Sequence, residues 1–252
     1  MNCTPPAPGN AVIFGAAAVR YAQARPRYPA AFFDWLCAQV PGHECAWDVG
    51  CGSGQATTAL SAGFAKVIAN DIDAQQLAQA PPLPNVQWIN APAEDTALAA
   101  DSVDLALAAS AIHWLDLDVF YPRLRRALRP GGVFVAVAYA TTEVAAPLKA
   151  AIKEAFSPLA PYWSEGNRRI WRGYADLPFP FDVIEAPVFA IELEWSIDEY
   201  LAFASTWSAA LLYRQATGLD VAVAARDRLA PLWGEGRQRI VMPLTMKAGR
   251  KR

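Results

Sequence analysis

The sequence of 252 residues has little of what marks several common classes of protein. Its four cysteines form no CxxC pair and it has only two histidines, so we expect no bound metal of the zinc or iron–sulfur type. With 22 basic and 24 acidic side chains, it lacks the basic excess of a dedicated nucleic-acid-binding protein. Charged residues make up 18% and hydrophobic residues 54%, which excludes a disordered chain.

Long apolar runs are also missing. No run approaches the ~20 residues that span a bilayer. The first apolar stretch, AVIFGAAAV, has no basic residue before it, unlike the apolar part of a signal peptide. We therefore expect a cytoplasmic protein without membrane association. The length predicts a single domain over residues 1–252 with a large core, acting as a monomer or homodimer.

Short apolar segments alternate with helical segments in the first part of the chain. Strands are predicted over 45–50, 66–71, 86–90, 102–110 and 133–140. Helices are predicted over 11–25, 29–40, 53–63, 72–80 and 117–130, with a turn at 130–132. Such alternation, with strands apolar on both faces, predicts an α/β fold whose parallel sheet is covered on both sides. Residues 29–140 would form its ligand-binding core.

The pattern changes after residue 141, where aromatic and proline-containing segments become frequent. A strand is predicted over 183–195 and a last strand over 239–247. Between them a helix is predicted over 196–213, because Ser196 and Glu199 have the spacing of a capping box. We expect residues 141–252 to complete the sheet and to form a substrate or lid region.

The most informative motif is WDVGCGSGQ at 47–55, where a strand leads through three glycines into a helix. A dinucleotide-binding fingerprint, GxGxxG, would require a glycine at the place of Gln55, and a phosphate-binding P-loop would require a lysine that this motif lacks. The motif therefore predicts a ligand cradled by the loop, but not a pyrophosphate.

Two carboxylates define that ligand further. Asp48 precedes the loop, where it would repel a pyrophosphate at a helix N-terminus and suit an ammonium or sulfonium group. Asp71 ends the next strand, 21 residues beyond Gly50, which is the position and residue type that bind two ribose hydroxyls. S-adenosylmethionine is a cationic nucleoside without phosphate and fits both. A nicotinamide-dependent oxidoreductase is the alternative, and Asp48 and the missing third glycine disfavour it.

The region from about 14 to 140 resembles the class I S-adenosylmethionine-dependent methyltransferases. Within these it is similar to the small-molecule group of trans-aconitate methyltransferase-like proteins, or methyltransferase type 11. The resemblance is carried by YAQARPRYP (21–29), WDVGCGSGQAT (47–57), VIANDID (67–73), VQWINAPAEDTAL (86–98), SVDLALAASAIHWLD (102–116) and LRPGGVFVAV (128–137).

The resemblance implies a Rossmann-like α/β fold, with a mostly parallel seven-stranded sheet and helices on both faces. It implies methyl transfer from S-adenosylmethionine to a small-molecule acceptor, such as a carboxylate or another oxygen nucleophile, with S-adenosylhomocysteine as the product. A catalytically silent family member that binds the cofactor and acts through a partner is the second alternative.

The resemblance also assigns residues to the cofactor. It places the glycine loop and Asp48 at the methionine half, Asp71 at the ribose, and Ile72 at the adenine face. Pro92 stands where relatives often have an aspartate beside the adenine. The residues expected to bind the cofactor are Tyr21, Arg25, Asp48, Gly50, Cys51, Gly52, Gly54, Gln55, Asp71, Ile72, Ala93, Glu94 and Ser110.

Acceptor residues are predicted from position and side-chain chemistry. His113 and Trp114 follow a buried strand at the expected transfer site. His113 is a catalytic candidate that orients substrate or accepts a proton; the alternative is that it only forms part of the wall. The later tryptophans line a pocket or belong to the core, and Arg168, with its neighbours Arg169 and Arg172, clamps a carboxylate or lies in solvent. The candidates are His113, Trp114, Tyr162, Trp163, Arg168 and Trp207.

Overall fold

The apolar strand segments pair into one sheet in the computed structural model, which describes residues 18–139 and 141–252. Its strands are β1 (Cys45–Val49), β2 (Lys66–Asp71), β3 (Val86–Asn90), β4 (Val103–Ala109), β5 (Leu128–Tyr139), β6 (Asp182–Val183), β7 (Ala190–Trp195) and β8 (Gln238–Arg250). The strand order is β3-β2-β1-β4-β5-β8-β6, with β7 also paired to β8. Strands β1 to β5 are parallel, and β8 is antiparallel to its three neighbours.

Helices cover both faces of the sheet. They are α1 (Ala18–Ala24), α2 (Ala30–Gln39), α3 (Thr57–Gly63), α4 (Ala74–Leu77), α5 (Leu117–Ala127), α6 (Ala146–Ala155), α7 (Glu165–Trp171), α8 (Ile197–Ala204), α9 (Ser208–Thr217) and α10 (Val221–Trp233). Successive residues of β4 enter different apolar clusters. Leu105 packs in the cluster of Phe32 from α2, and Ala106 in the cluster of Phe120 from α5. Because strand side chains alternate between faces, the α/β prediction with helices on both faces is confirmed.

The sequence predicted the strands of the first half well. Strands β2 and β3 have the predicted bounds, β1 ends one residue earlier than predicted, and β4 is one residue shorter at each end. These segments are short apolar runs bounded by turn residues, so local sequence is enough to define them. The predicted helix over 11–25 is described only from residue 18 onwards, as α1, and its earlier part lies outside the described residues.

Several local predictions in this half need correction. The helix predicted over 117–130 ends at Ala127, because β5 begins at Leu128 and not at residue 133 as predicted. The helix predicted over 53–63 begins only at Thr57, and the helix over 72–80 is reduced to α4. The turn predicted at 130–132 belongs to β5, where Gly131 has a φ of +76° and donates its N–H to the Lys251 carbonyl. A strand pairing from β8 thus converts an apparent turn into an irregular strand segment.

The second half differs more. The strand predicted over 183–195 is divided into β6 and β7, with Pro187 in the intervening loop. The helix predicted over 196–213 is divided into α8 and α9, because Trp207 is extended between them. The capping box of Ser196 and Glu199 is confirmed. Helix α10, which Asp220 caps, was not predicted, and the sheet has eight strands in the described residues where seven were expected.

The structure also bears on membranes and metals. The longest helix within residues 18–139 and 141–252 is α10, with 13 residues, and none of these helices could span a bilayer. In the same described residues, no group of three or more His, Cys, Asp or Glu side chains is arranged to hold a metal ion.

Candidate active site

Three cavities adjoin one another at the carboxyl ends of β1, β2 and β4. The glycine-loop cavity, about 320 Å³, lies between the loop after β1 and the end of β2. The aromatic cavity, about 150 Å³, lies against helices from the second half. The junction cavity, about 30 Å³, is bordered by Arg25 and Asp48. Tyr21 and Ser110 line all three, so the cavities meet at these two side chains. The edge formed by strand carboxyl ends is where α/β sheets bind ligands.

The glycine-loop cavity brings together ten of the thirteen residues that the sequence assigned to a cofactor. These are Tyr21, Gly50, Cys51, Gly52, Gln55, Asp71, Ile72, Ala93, Glu94 and Ser110. Arg25 and Asp48 line the adjoining junction cavity. Twelve of the thirteen residues therefore line these two adjoining cavities, and their contacts with a cofactor remain a prediction.

Backbone geometry explains two of the glycines. Gly50 has a φ of +64°, and a Cβ there would lie 2.7 Å from the Ala111 Cβ. Gly52 has a φ of +55°. A Cβ there would meet only the Gln55 and Gln76 side-chain oxygens, at 3.8 and 3.9 Å. Both positions favour glycine because their backbone is left-handed. The space over Gly52 is open to a ligand.

Asp71 connects the loop to the second strand. Its Oδ2 accepts a hydrogen bond from the Gly52 N–H at 2.8 Å, and its Oδ1 accepts one from the Asp73 N–H at 2.9 Å. Burial raises the pKa of Asp71 above its ordinary value, although these two N–H groups oppose the shift. Each oxygen keeps a further lone pair, because a carboxylate oxygen accepts about two hydrogen bonds.

Asp48 is a buried carboxylate with an unsatisfied oxygen. Its Oδ2 accepts a hydrogen bond from the Thr57 hydroxyl at 2.6 Å, whereas Oδ1 is buried without a hydrogen-bond partner in the described structure. Burial raises the pKa of Asp48 to about 7. Since buried polar atoms are normally paired, and Asp48 lines the junction cavity, Oδ1 is available to accept a hydrogen bond from a ligand donor.

Arg25 supplies a positive charge on the other side of the junction cavity. Its guanidinium lies over the Tyr21 ring, 4.5 Å from the centroid, and donates to the Thr206 carbonyl at 3.0 Å. Its Nε is buried without a hydrogen-bond partner, and no ion pair within the described residues involves Arg25. A cation and a carboxylate thus border the same small space, and this arrangement is complementary to the two charged groups of an amino acid.

The far end of the glycine-loop cavity is apolar and partly open. Ile72 is 42% exposed there, beside the buried Ala93. Glu94 also lines the cavity, but its Oε1 accepts a hydrogen bond from the Asp116 N–H at 2.8 Å, which commits part of its carboxylate to the protein. Pro92 lines this end as well, and it offers no side-chain hydrogen bond.

Sequence reasoning missed Gln76. This side chain is only 3% exposed and lines the glycine-loop cavity, yet neither its Oε1 nor its Nε2 has a hydrogen-bond partner in the described structure. An unpaired buried amide is costly, and both atoms are available to a ligand in this cavity. The available signal was a polar residue in the first helical turn after the predicted ribose-binding Asp71.

The structure shows a packing reason for the glycine at position 54. Gly54 lies outside the lining of the three cavities, although it was expected to let the cofactor approach. A Cβ at Gly54 would lie 2.8 Å from the Trp88 ring, and its φ is +86°. Packing against β3 therefore requires a glycine at this position, and the contact of Gly54 with the cofactor stays a prediction.

Ser110 lies at the point where the cavities meet and has an unusual backbone. Its φ is +56°, which is uncommon for a residue with a side chain. Its hydroxyl lies 3.1 Å from the Tyr28 hydroxyl, and its N–H donates to the Val137 carbonyl at 2.7 Å. These bonds hold a strained residue in place, as is common at functional sites.

The aromatic cavity has a distinctive lining. Eight aromatic residues line it: Tyr21, Trp114, Tyr139, Trp163, Trp171, Tyr200, Phe203 and Trp207. Of the predicted acceptor residues, it brings together His113, Trp114, Trp163 and Trp207. Burial, with Arg169 nearby, lowers the pKa of His113 to about 3. A histidine that is neutral at ordinary pH and so weakly basic is poorly suited to general-base catalysis, which favours its role in the wall.

Two predicted acceptor residues lie elsewhere. Tyr162 packs edge-on against Tyr213, with ring centroids 5.5 Å apart, and does not line the aromatic cavity. Arg168 is half exposed and lies 3.8 Å from Glu165. Its neighbour Arg172 pairs with Glu165 and with Asp176. The predicted carboxylate clamp is therefore wrong for Arg168, and the alternative holds, because Arg168 and Arg172 belong to a surface ion-pair network and do not line the aromatic cavity.

Comparison with known proteins agrees with this geometry. A family profile described as a methyltransferase domain matches residues 47–136. A solved structure from Anaeromyxobacter dehalogenans, assigned as a type II methyltransferase, is 43% identical; the match covers 90% of this chain and 97% of that chain with a TM-score of 0.81. Fold and site thus define a Rossmann-like methyltransferase. The chain belongs to the class I S-adenosylmethionine-dependent methyltransferase family, as the similarity extends over nearly the whole of both chains.

Two further relatives are similar to this chain. A protein of Dictyostelium discoideum assigned as a methyltransferase is 28% identical over 225 residues, which covers 86% of this chain and 84% of the relative. A trans-aconitate 2-methyltransferase of Azoarcus sp. is 40% identical over 104 residues, 39% of this chain and 41% of that protein. These findings favour a methyltransferase over the nicotinamide-dependent oxidoreductase.

Proposed function

We propose that this enzyme transfers a methyl group from S-adenosylmethionine to a small molecule held in the aromatic cavity. One observation carries the proposal: Tyr21, Ser110 and Trp114 line both the glycine-loop cavity and the aromatic cavity. A ligand in the first cavity would therefore adjoin a ligand in the second. The aromatic cavity, at about 150 Å³, is of the size that accepts a small molecule.

The residues of the first two cavities fit the cofactor. The unpaired Asp48 Oδ1 and the Arg25 guanidinium would hold the ammonium and carboxylate of the methionine part. Asp71, and the unpaired amide of Gln76 beside it, would hold the ribose, and Ile72 would lie against the adenine. When bound, S-adenosylmethionine supplies an activated methyl group on a sulfonium sulfur.

The protein's own contribution would be alignment and exclusion of water. Correct alignment of two reactants contributes up to ~7–11 kcal/mol in the best-oriented cases. Aromatic side chains around the acceptor would exclude water from the reacting groups. Trp163 and Trp207, which pack with ring centroids 5.8 Å apart, form part of this wall. The acceptor's nucleophilic atom would gain the methyl group as the bond between carbon and sulfur breaks, and a proton on that atom would leave to solvent with the product. His113 would shape the cavity without taking that proton.

The test is a methyl-transfer assay with S-adenosylmethionine labelled in its methyl group and extracts of the host cell. We expect label in a low-mass product, which mass spectrometry would identify. Gly52→Val is the matched control, because a β-branched residue cannot adopt the left-handed backbone of Gly52. Label only in macromolecules would contradict a small-molecule acceptor. Tight S-adenosylhomocysteine binding without any labelled product would instead support a silent protein that acts through a partner.

A further inference from the structure

The lining of the aromatic cavity restricts the chemistry of the acceptor. Eight of its described lining residues are aromatic. The described lining as a whole contains no aspartate or glutamate. Arg25 is the one Lys or Arg side chain in this lining, and it also borders the junction cavity. A charged acceptor group would lose its hydration in this cavity, and among the lining side chains only Arg25 carries a charge that could pair with it.

Arg25 borders both the aromatic cavity and the junction cavity, and part of its guanidinium is already bound by the protein. Its guanidinium donates to the Thr206 carbonyl at 3.0 Å and lies between the rings of Tyr21 and Phe203. Under the proposed function its remaining donor capacity serves the methionine carboxylate, across the junction cavity from Asp48. The lining would then present no free charge of either sign to an acceptor, since Arg169, whose charge acts on His113, lies outside the lining and pairs with Asp176 at 3.6 Å.

The polar groups that remain are neutral. Asn167 lines the cavity, and its Oδ1 accepts hydrogen bonds from the hydroxyls of Ser164 and Ser208 at 2.8 and 3.2 Å. Its amide nitrogen makes no hydrogen bond to a described residue and is available as a neutral donor. The Thr142 and Tyr200 hydroxyls, 3.4 Å apart, are further neutral partners.

We propose that the acceptor is an uncharged, flat aromatic molecule of one or two fused rings that carries a hydrogen-bonding group. The inference rests on the proposed function and narrows its acceptor class. Flat rings stack favourably on Trp163 and Trp207 in offset or edge-on arrangements. A cavity of about 150 Å³ has room for a ring of benzene size. A polycarboxylate such as trans-aconitate, and an aromatic ammonium, would each bring unpaired charge into the cavity.

The test measures binding to the full-length protein saturated with S-adenosylhomocysteine. Three probes are compared by calorimetry: 2-naphthol, which is uncharged, trans-aconitate, which is a trianion, and tryptamine, which is an aromatic cation. We expect 2-naphthol to bind at least about tenfold more tightly than either charged probe. Equal or tighter binding of trans-aconitate or tryptamine would overturn the proposal, as would binding of none of the three.

Matched variants locate the binding. Trp171 lines the cavity but is 45% exposed, so Trp171→Ala is expected to fold and to weaken 2-naphthol binding by about tenfold. Trp207→Ala should weaken 2-naphthol binding to a similar extent. Trp207 is more enclosed than Trp171, so if Trp207→Ala does not fold, Trp171→Ala alone provides the test. Trp35, half-buried against Phe189 outside the cavity, is the control, and Trp35→Ala should leave binding unchanged. Unchanged binding in Trp171→Ala would contradict the assignment. Failure of wild-type protein to bind S-adenosylhomocysteine would overturn the proposed function itself.

Discussion

The backbone N–H of Gly52 donates a hydrogen bond to Oδ2 of Asp71 at 2.8 Å. This bond joins the glycine loop after β1 to the end of β2, so one side chain both shapes the loop and borders the cavity that the loop forms. Asp71 also accepts the Asp73 N–H, and Asp73 in turn caps α4. A change at Asp71 should therefore affect both the loop and the ligand.

Asp71→Ala is expected to weaken S-adenosylhomocysteine binding by at least about tenfold, because hydrogen bonds to a charged group contribute ~1.5–3 kcal/mol each. Asp71→Asn is the matched variant: it keeps an acceptor for one of the two N–H groups and loses the charge. Its affinity should fall between wild type and Asp71→Ala. Calorimetry on the folded variants measures both affinities for S-adenosylhomocysteine. Unchanged affinity in Asp71→Ala would contradict the prediction that Asp71 binds the ribose.

Asp48 predicts a pH dependence of cofactor binding. Burial raises its pKa to about 7, whereas a cofactor ammonium at the junction cavity would pair with the ionised form. Affinity for S-adenosylhomocysteine should therefore rise from pH 5 to pH 7, by about tenfold or more for a pKa this high. Asp48→Asn should bind weakly and with a flatter pH profile. Calorimetry at several pH values measures the affinity of wild type and of Asp48→Asn. An equal change of affinity with pH in both proteins would contradict the pairing of Asp48 with the cofactor ammonium.

The same group affects stability without ligand. A carboxylate whose folded pKa lies above its unfolded value contributes stability that is present at low pH and lost as the pH rises through the folded pKa. For Asp48 that loss falls between about pH 4 and pH 7. Denaturant unfolding of the ligand-free protein should show this loss in wild type but not in Asp48→Asn.

Gln76→Met distinguishes a cofactor contact of the Gln76 amide from a purely structural role of this side chain. The amide is buried with both polar atoms unpaired, so its replacement by an apolar side chain of similar length should stabilise the ligand-free protein by roughly 1–3 kcal/mol. If the amide contacts the cofactor, affinity for S-adenosylhomocysteine should decrease at the same time. Urea unfolding and calorimetry give the two values. Higher stability with unchanged affinity would mean that Gln76 makes no cofactor contact.

His113→Asn tests the wall interpretation. A general base would contribute ~10²–10⁴ to turnover, and the lost rate would vary with pH near its titration. With the pKa of His113 lowered to about 3, the residue is neutral from pH 6 to 8.5. We expect a small, pH-independent loss that appears mainly in the acceptor KM. Steady-state kinetics with the identified acceptor distinguishes the two roles of His113. A loss in kcat above about a hundredfold would show that His113 acts as a general base.

The local sequence by itself determined the cofactor half of this protein. The strands around the loop are apolar runs bounded by turn residues, and Asp48 and Asp71 have a fixed separation along the chain from the glycines, so short-range pattern predicts both the sheet and the side chains at its edge. The order of the first five strands brings these segments together, as expected of parallel strands covered by helices.

Only the tertiary structure decided which other residues reach the site. Gly54 is required by Trp88, which is 34 residues away in sequence, and Arg168 faces solvent because of how α7 packs. The unpaired amide of Gln76 is recognisable only when every potential partner is in place. The second half showed this most clearly: the orientation of Trp207 follows from the break between α8 and α9. Such contacts join residues distant in sequence, and local periodicity carries no information about them.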